Sequence, residues 1–326
     1  MLETIVGALF PAVLTVLLGY AAARHHDFGP KDAQVLIRMV MTYALPLAIF
    51  VGTIRLTRSV LADQLPLVIA LAVAIIGLYG LVFLVCRFVF RFSLGLTLLC
   101  ALAASAPDVP YVGPVVIGYL YGSIGNIPVA IGSLLINVTV VPLTVILLTL
   151  SSSKGADRAA SADVLSRIVE GVKEPIVWLP LIGFTLVLVD VHVPELIANS
   201  LAVLGHSAAG VALFAVGIIL AGYRVTINRF VLGLVSVKNI VQPALVWVGL
   251  LALGYTNPLV GEAVLAAAIP MITLIAILGV RYRLAETEAA SAVFLSFAGS
   301  LLTLGLFIAL TGGQSLHAGG SVNATR

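Results

Sequence analysis

Charge is what this chain has least of. Asp, Glu, Lys and Arg make up 10% of its 326 residues, against 61% for the apolar types. A water-soluble domain carries roughly 25% charged and about 45–50% apolar residues, so this composition belongs to a polytopic membrane protein. Cysteine is nearly absent. Cys86 and Cys100 both fall in apolar runs, which leaves neither a disulfide framework nor metal-ligand spacing. No Gly-rich phosphate loop ending in Gly-Lys-Ser/Thr occurs, which argues against ATP-driven transport by this chain alone. No His-rich cluster or serine-nucleophile motif occurs either, which argues against an intramembrane enzyme. The basic residues form no massed surface, so nothing points to nucleic acid. No organic cofactor or metal is called for.

What is present is apolar length. Ten runs of about 20 residues mark ten spanning helices: 3–23, 32–53, 65–86, 94–122, 126–150, 174–190, 199–222, 232–252, 261–280 and 285–311. Glu3 and the lack of Lys or Arg before the first run make it a retained span rather than a cleaved leader. Orientation follows from Lys and Arg in short loops. With the N-terminus outside, twelve of them fall in inside loops, and only Arg55, Arg58 and Arg326 fall outside. Both termini are then outside an inner (plasma) membrane, and the polar linker 151–173 is cytoplasmic. The linker separates 1–150 from 174–311, and the Gly- and Ser-bearing tail 312–326 reads as disordered. Each half holds five spans. Homologous halves with an odd number of spans must cross in opposite directions, which makes an inverted repeat.

The fourth span is interrupted. Pro107, Pro110 and Pro114 lie at its centre with Asp108 among them. Proline removes a helix donor and clashes with the preceding turn. The ninth span carries Pro270 at its own centre. Paired interruptions in two halves point to a transporter site at the bilayer midplane, and an intramembrane Asp marks function by default. Small residues cluster in spans four, nine and ten, including Ala103, Ala266 and Ala290. Small residues let helices approach closely in lipid, so these spans are expected in the interior.

Several short motifs occur in order along the chain: Leu9-Phe10-Pro11, Tyr43-Ala44-Leu45-Pro46, Pro107 to Pro114, Gln242-Pro243-Ala244 and Ala268-Ile269-Pro270. In order and spacing the chain resembles the auxin efflux carrier family, closest to its bacterial malonate-transporter branch. The resemblance implies the fold of bile acid–sodium symporters. A scaffold domain would use spans 1, 2, 6 and 7. A transport domain would use spans 3–5 and 8–10 and move as an elevator, with the broken helices crossing at the substrate. One departure stands out: the family's crossover often carries Asn where this chain has Asp108, and Asp can hold a charge or a proton where Asn cannot.

If the broken spans cross, the second half of each begins near the midplane, with Pro114 (or Pro110) and Pro270 as first helical residues. Two half-helix N-termini present free N–H groups and positive dipole ends, which suits a small carboxylate such as malonate. The substrate candidates are Asp108, Pro110, Tyr111, Gly113, Pro114, Ile269, Pro270 and Thr273, with Lys238 and Gln242 from span eight. Lys238 either snorkels, compensates substrate charge or pairs with Asp108. Asp108 either carries a proton with the substrate or helps hold Na⁺ with Asn137, Ser296, Ser300 and Thr303, since oxygen ligands suit hard cations. Arg38 reads as a snorkelling residue and His206 as a hydrogen-bonded core histidine. The expected partners are the carboxylate and the lipid bilayer, with a homodimer left open.

Overall fold

In lipid the backbone must satisfy its own hydrogen bonds, and only helices do so within one segment. The computed structural model describes residues 2–109, 112, 113, 116, 117, 126–152, 173–222 and 225–311. Most of the linker, the tail 312–326 and the candidates Pro110, Tyr111 and Pro114 lie outside the described residues. Among the described residues, six helices are long and apolar enough to cross a membrane: α2 (Pro30–Ile54), α3 (Leu65–Val89), α5 (Ile127–Ser151), α7 (Glu195–Gly222), α8 (Arg229–Ala252) and α11 (Glu286–Leu310). Shorter or interrupted apolar helices occupy the other four expected positions: α1 (Leu2–Arg24), α4 (Leu94–Ser105), α6 (Pro175–Leu188), and α9 (Leu259–Ala268) followed by α10 (Leu274–Tyr282). Among the described residues the only non-helical pairing is one antiparallel bridge between Pro107 and Met271.

Packing sorts these helices. α1 lies along α7, and α2 lies against both α6 and α7. Two glycines set the first contact. A Cβ on Gly19 would sit 2.1 Å from the Phe214 carbonyl oxygen, and one on Gly217 would sit 2.1 Å from that of Val16. No other residue fits either position without separating the helices. The remaining helices make a second group, in which α3 packs on α4, α4 on α5, α8 on α9, and α9 and α10 on α11. The small-residue stretches behave as expected here. Ala101–Ala104 of α4, Ala263 and Ala266–Ala268 of α9, and Ala289, Ala290 and Ala292 of α11 are all buried. Ile69, Val73, Leu81, Leu245, Val248, Leu302 and Leu306 are exposed. Large apolar residues outward and small ones inward is the arrangement lipid favours, because lipid tails solvate Leu as well as protein does.

Five single π-helical turns interrupt the α geometry among the described residues: 40–44 in α2, 73–77 and 85–89 in α3, 136–140 in α5 and 237–241 in α8. Such turns occur often at functional sites. Those in α2, α5 and α8 carry or adjoin the residues described next.

Candidate functional site

α4 stops at Ser105 because Pro107 follows, and the residue before a proline is pushed out of helical geometry. Ala106 is extended (φ −98°, ψ 110°). α9 stops at Ala268 for the same reason, with Ile269 extended before Pro270 (φ −56°, ψ 140°). The two unwound segments then meet each other. The Asp108 N–H donates to the Pro270 carbonyl at 2.8 Å, and the Ile272 N–H donates to the Ala106 carbonyl at 3.0 Å. Each follows the end of a helix, and each supplies part of the other's lost bonding.

Side chains from α8 and α11 satisfy the rest. Lys238 Nζ donates to the carbonyls of Ala267 and Ile269 at 2.7 and 2.8 Å. Its cation therefore sits at the C-terminal, negative end of α9, where a helix dipole favours it. Gln242 Nε2 donates to the Ser105 carbonyl at 2.7 Å, at the same end of α4, and to the Ala74 carbonyl in the α3 π turn at 2.9 Å. Met271 N–H donates to Ser296 Oγ at 2.8 Å, and Ser296 in turn donates to Asn239 Oδ1 at 2.6 Å. Asn239 Nδ2 returns to the Ser296 carbonyl at 2.7 Å. This is the backbone accounting that irregular structure at membrane depth requires.

Asp108 holds the other end of the break. Its Oδ2 accepts from Thr273 Oγ1 at 2.5 Å and from the Thr273 N–H at 3.4 Å. The carboxyl group thus lies at the N-terminus of α10, the positive dipole end. Its second oxygen, Oδ1, has no hydrogen-bond partner, and the residue is 1% exposed. The residue also borders a void. A cavity of about 20 Å³ is lined by Asp108, Asn137 and Thr273, together with Val40 and Leu45 of α2 and Ala212 of α7. This is room for about one water molecule.

Two larger cavities continue the line in opposite directions along α2. One, of about 470 Å³, is lined by Ala48, Gly52, Arg55, Ser133, Asn137 and His206. The other, of about 310 Å³, is lined by Gln34, Arg38, Thr42, Arg281 and Arg283. Asn137 borders both the 470 Å³ cavity and the small one.

The structure therefore draws some candidates together and separates others. Asp108, Thr273 and Asn137 share the small cavity. Ile269 and Pro270 contribute carbonyls to the crossing. Lys238 caps α9 rather than forming an ion pair with Asp108, because its donors meet two carbonyls. Pro270 is not the first residue of a helix: it lies in the extended segment, and Thr273 occupies the position before α10. Ser296 is tied to Asn239 and Met271, away from the small cavity. Ser300 Oγ donates to Phe297 and Thr303 Oγ1 to Gly299, both within α11. Gly113 packs toward Val129 of α5, where a Cβ would come within 2.9 Å. His206 is exposed at the end of the first segment of α7 and lines the larger cavity, so it is not a core histidine. Arg38 also lines a cavity. Sequence reasoning missed Asn239, although it stands beside Lys238 in the same polar turn of an apolar helix. It also missed Arg281 and Arg283 as cavity residues.

A family model described as "Membrane transport protein" matches residues 4–308. The chain is 30% identical over 312 residues to proteins named "Uncharacterized transporter YfdV" from Escherichia coli strain K12, Escherichia coli O157:H7 and Shigella flexneri. In each case the match covers 94% of this chain and 98% of the relative. With broken helices crossing at a buried carboxyl group and this match over nearly its full length, the chain belongs to the membrane transport protein family, the family of the auxin efflux carriers.

Proposed function

We propose that the protein is a secondary active transporter of a small organic anion, with malonate or a related carboxylate as first candidate and a proton at Asp108 as the coupling ion. The observation that carries this reading is the file of three cavities along α2, with Asp108, whose Oδ1 is unpartnered, lining the smallest of them. A cavity of about 20 Å³ admits a proton-bearing water or a bare ion and excludes a dicarboxylate. The larger cavities are within the range that holds small molecules. Substrate therefore resides to one side of Asp108 at a time, and passage requires the two walls to move past each other. The N-terminus of α10 is occupied by Asp108 itself, so the substrate anion reaches that dipole end only when Asp108 is neutral or displaced.

The ten-span inverted repeat fits the packing. α1 on α7 is matched by α6 on α2, α1 on α11 by α6 on α5, and α2 on α5 by α7 on α11. α3 and α8 each run eight residues before their π turns at Val73 and Val237. On this reading α1, α2, α6 and α7 are the scaffold, and the second group is the part that moves as an elevator. Positively charged loops orient the Ile54 end of α2 outward and the Pro30 end toward the cytoplasm. The 470 Å³ cavity is then the outer vestibule and the 310 Å³ cavity the inner one.

Sodium is the second reading for the ion, favoured by the carboxamide of Asn137 beside Asp108 and Thr273. Counterflow of labelled malonate in proteoliposomes, at equal pH and without Na⁺, is the first test. Saturable uptake that unlabelled malonate competes for supports the carrier and its substrate class. No uptake with or without Na⁺ removes malonate, and a carboxylate panel follows.

A further inference from the structure

The inner cavity carries a concentration of charge that the crossing does not use. Arg38 projects from α2, and Arg281 and Arg283 come from the end of α10 and the turn after it; among the described residues no Asp or Glu lines the space. Arg281 is already engaged, since it pairs with Glu174 and lies over the Tyr282 ring at 5.5 Å. The side chains of Arg38 and Arg283 have no hydrogen-bond or ion-pair partner among the described residues, and both residues are exposed. They stand on the two walls of one cavity, one from each helix group. Gln34 and Thr42 add uncharged polar side chains on the α2 wall. On the same helix, Ile37 and Met41 line this cavity and Val40 lines the one at Asp108, so the inner cavity adjoins the narrow point.

We propose that Arg38 and Arg283 form a recruiting site for a dianion, one carboxylate to each guanidinium, at the inner end of the pathway. The chemistry is that of Arg with carboxylate, a planar fork that meets two oxygens at once. Because the arginines belong to different walls, a bridging dianion also draws the walls together at the inner end, whereas a monoanion satisfies only one of them. The site selects dicarboxylates over monocarboxylates and gives the inner face the higher affinity. The proposal rests on the transport reading for its direction, but its binding chemistry is separable from it.

The double variant Arg38→Gln/Arg283→Gln is compared with Lys31→Gln, which removes an inner-face charge outside the cavity. In inverted vesicles the double variant raises the KM for malonate at least tenfold. In right-side-out vesicles it changes KM less than twofold, and Lys31→Gln changes neither. Equal rises on both faces, or none, overturn the proposal. Purified protein in zwitterionic detergent keeps the test independent of transport. There malonate raises the Tm of the parent protein more than acetate does, and the double variant loses that difference. If the parent transports no carboxylate but shows this selective shift, the recruiting site stands and the transport reading falls. If only phosphatidylglycerol produces the shift, the arginines bind a lipid headgroup and the proposal fails.

Discussion

On the proposed orientation, the outer and inner cavities along α2 are comparable in size and opposite in chemistry. The outer one is walled by small residues, among them Ala48, Gly52, Ala130, Gly205 and Ala209. Its one arginine, Arg55, donates to Asn199 at 3.2 Å. The inner one holds three arginines within a smaller volume. Between the two cavities lies the small one of Asp108 and Asn137; Asn137 also lines the 470 Å³ cavity, and Met41 and Thr42 of the α2 π turn line the 310 Å³ one. The difference teaches that the two large cavities are told apart by the charge on their walls. On the proposed transport reading, the choice of ligand and side falls to those walls.

Four changes probe that contrast, in decreasing order of expected effect. Lys238→Met strips donors from the buried carbonyls of Ala267 and Ile269, and buried groups left unpaired cost about 1–3 kcal/mol each. It destabilises the helix group of α3–α5 and α8–α11 by on the order of 3 kcal/mol, measured as a lower Tm in detergent, and reduces flux equally from both faces. Asp108→Asn keeps the fold and abolishes the response to a pH gradient. A one-unit gradient is worth about 1.4 kcal/mol, or roughly tenfold in accumulation, and the variant loses that factor in vesicle uptake while exchange continues. An unchanged pH profile would remove Asp108 from coupling. Tyr282→Phe breaks the 2.9 Å hydrogen bond to Thr149 that ties α10 to α5 and costs about 1 kcal/mol, read from the Tm. Arg55→Gln, the outer counterpart of the inner arginines, changes the KM on either face less than twofold. A tenfold effect there would erase the asymmetry between vestibules.

Much of this was legible in the sequence. Apolar runs located most of the described helices to within a few residues, because the bilayer fixes their length and composition; of the 94–122 run, α4 covers Leu94–Ser105. Pro107 and Pro270 located both breaks, because proline chemistry is local. The partners of the broken backbone were not legible. Lys238 and Gln242 stand out as polar residues in an apolar helix, but their carbonyl acceptors lie 29 and 137 residues away. Nothing local distinguishes capping a distant helix end from touching substrate. Ser296 and Ser300 occupy similar positions by count along one helix. Yet only Ser296 turns toward the crossing, where Asn239 and Met271 hold it. The π turns were invisible for a related reason: Val40, Ile136 and Val237 carry no residue-level signal, and tertiary packing selects the wider turn.

Asn137 borders both the outer vestibule and the Asp108 cavity, so its accessibility is the most direct test of the pathway. The measurement is labelling of Asn137→Cys by a membrane-impermeant maleimide in right-side-out and inverted vesicles, with the native Cys86 and Cys100 buried as background. The account predicts labelling from the outer face, slowed by substrate, and none from the inner face at rest. Labelling from both faces at once contradicts it in favour of an open pore, and labelling from neither moves the pathway away from α2 altogether.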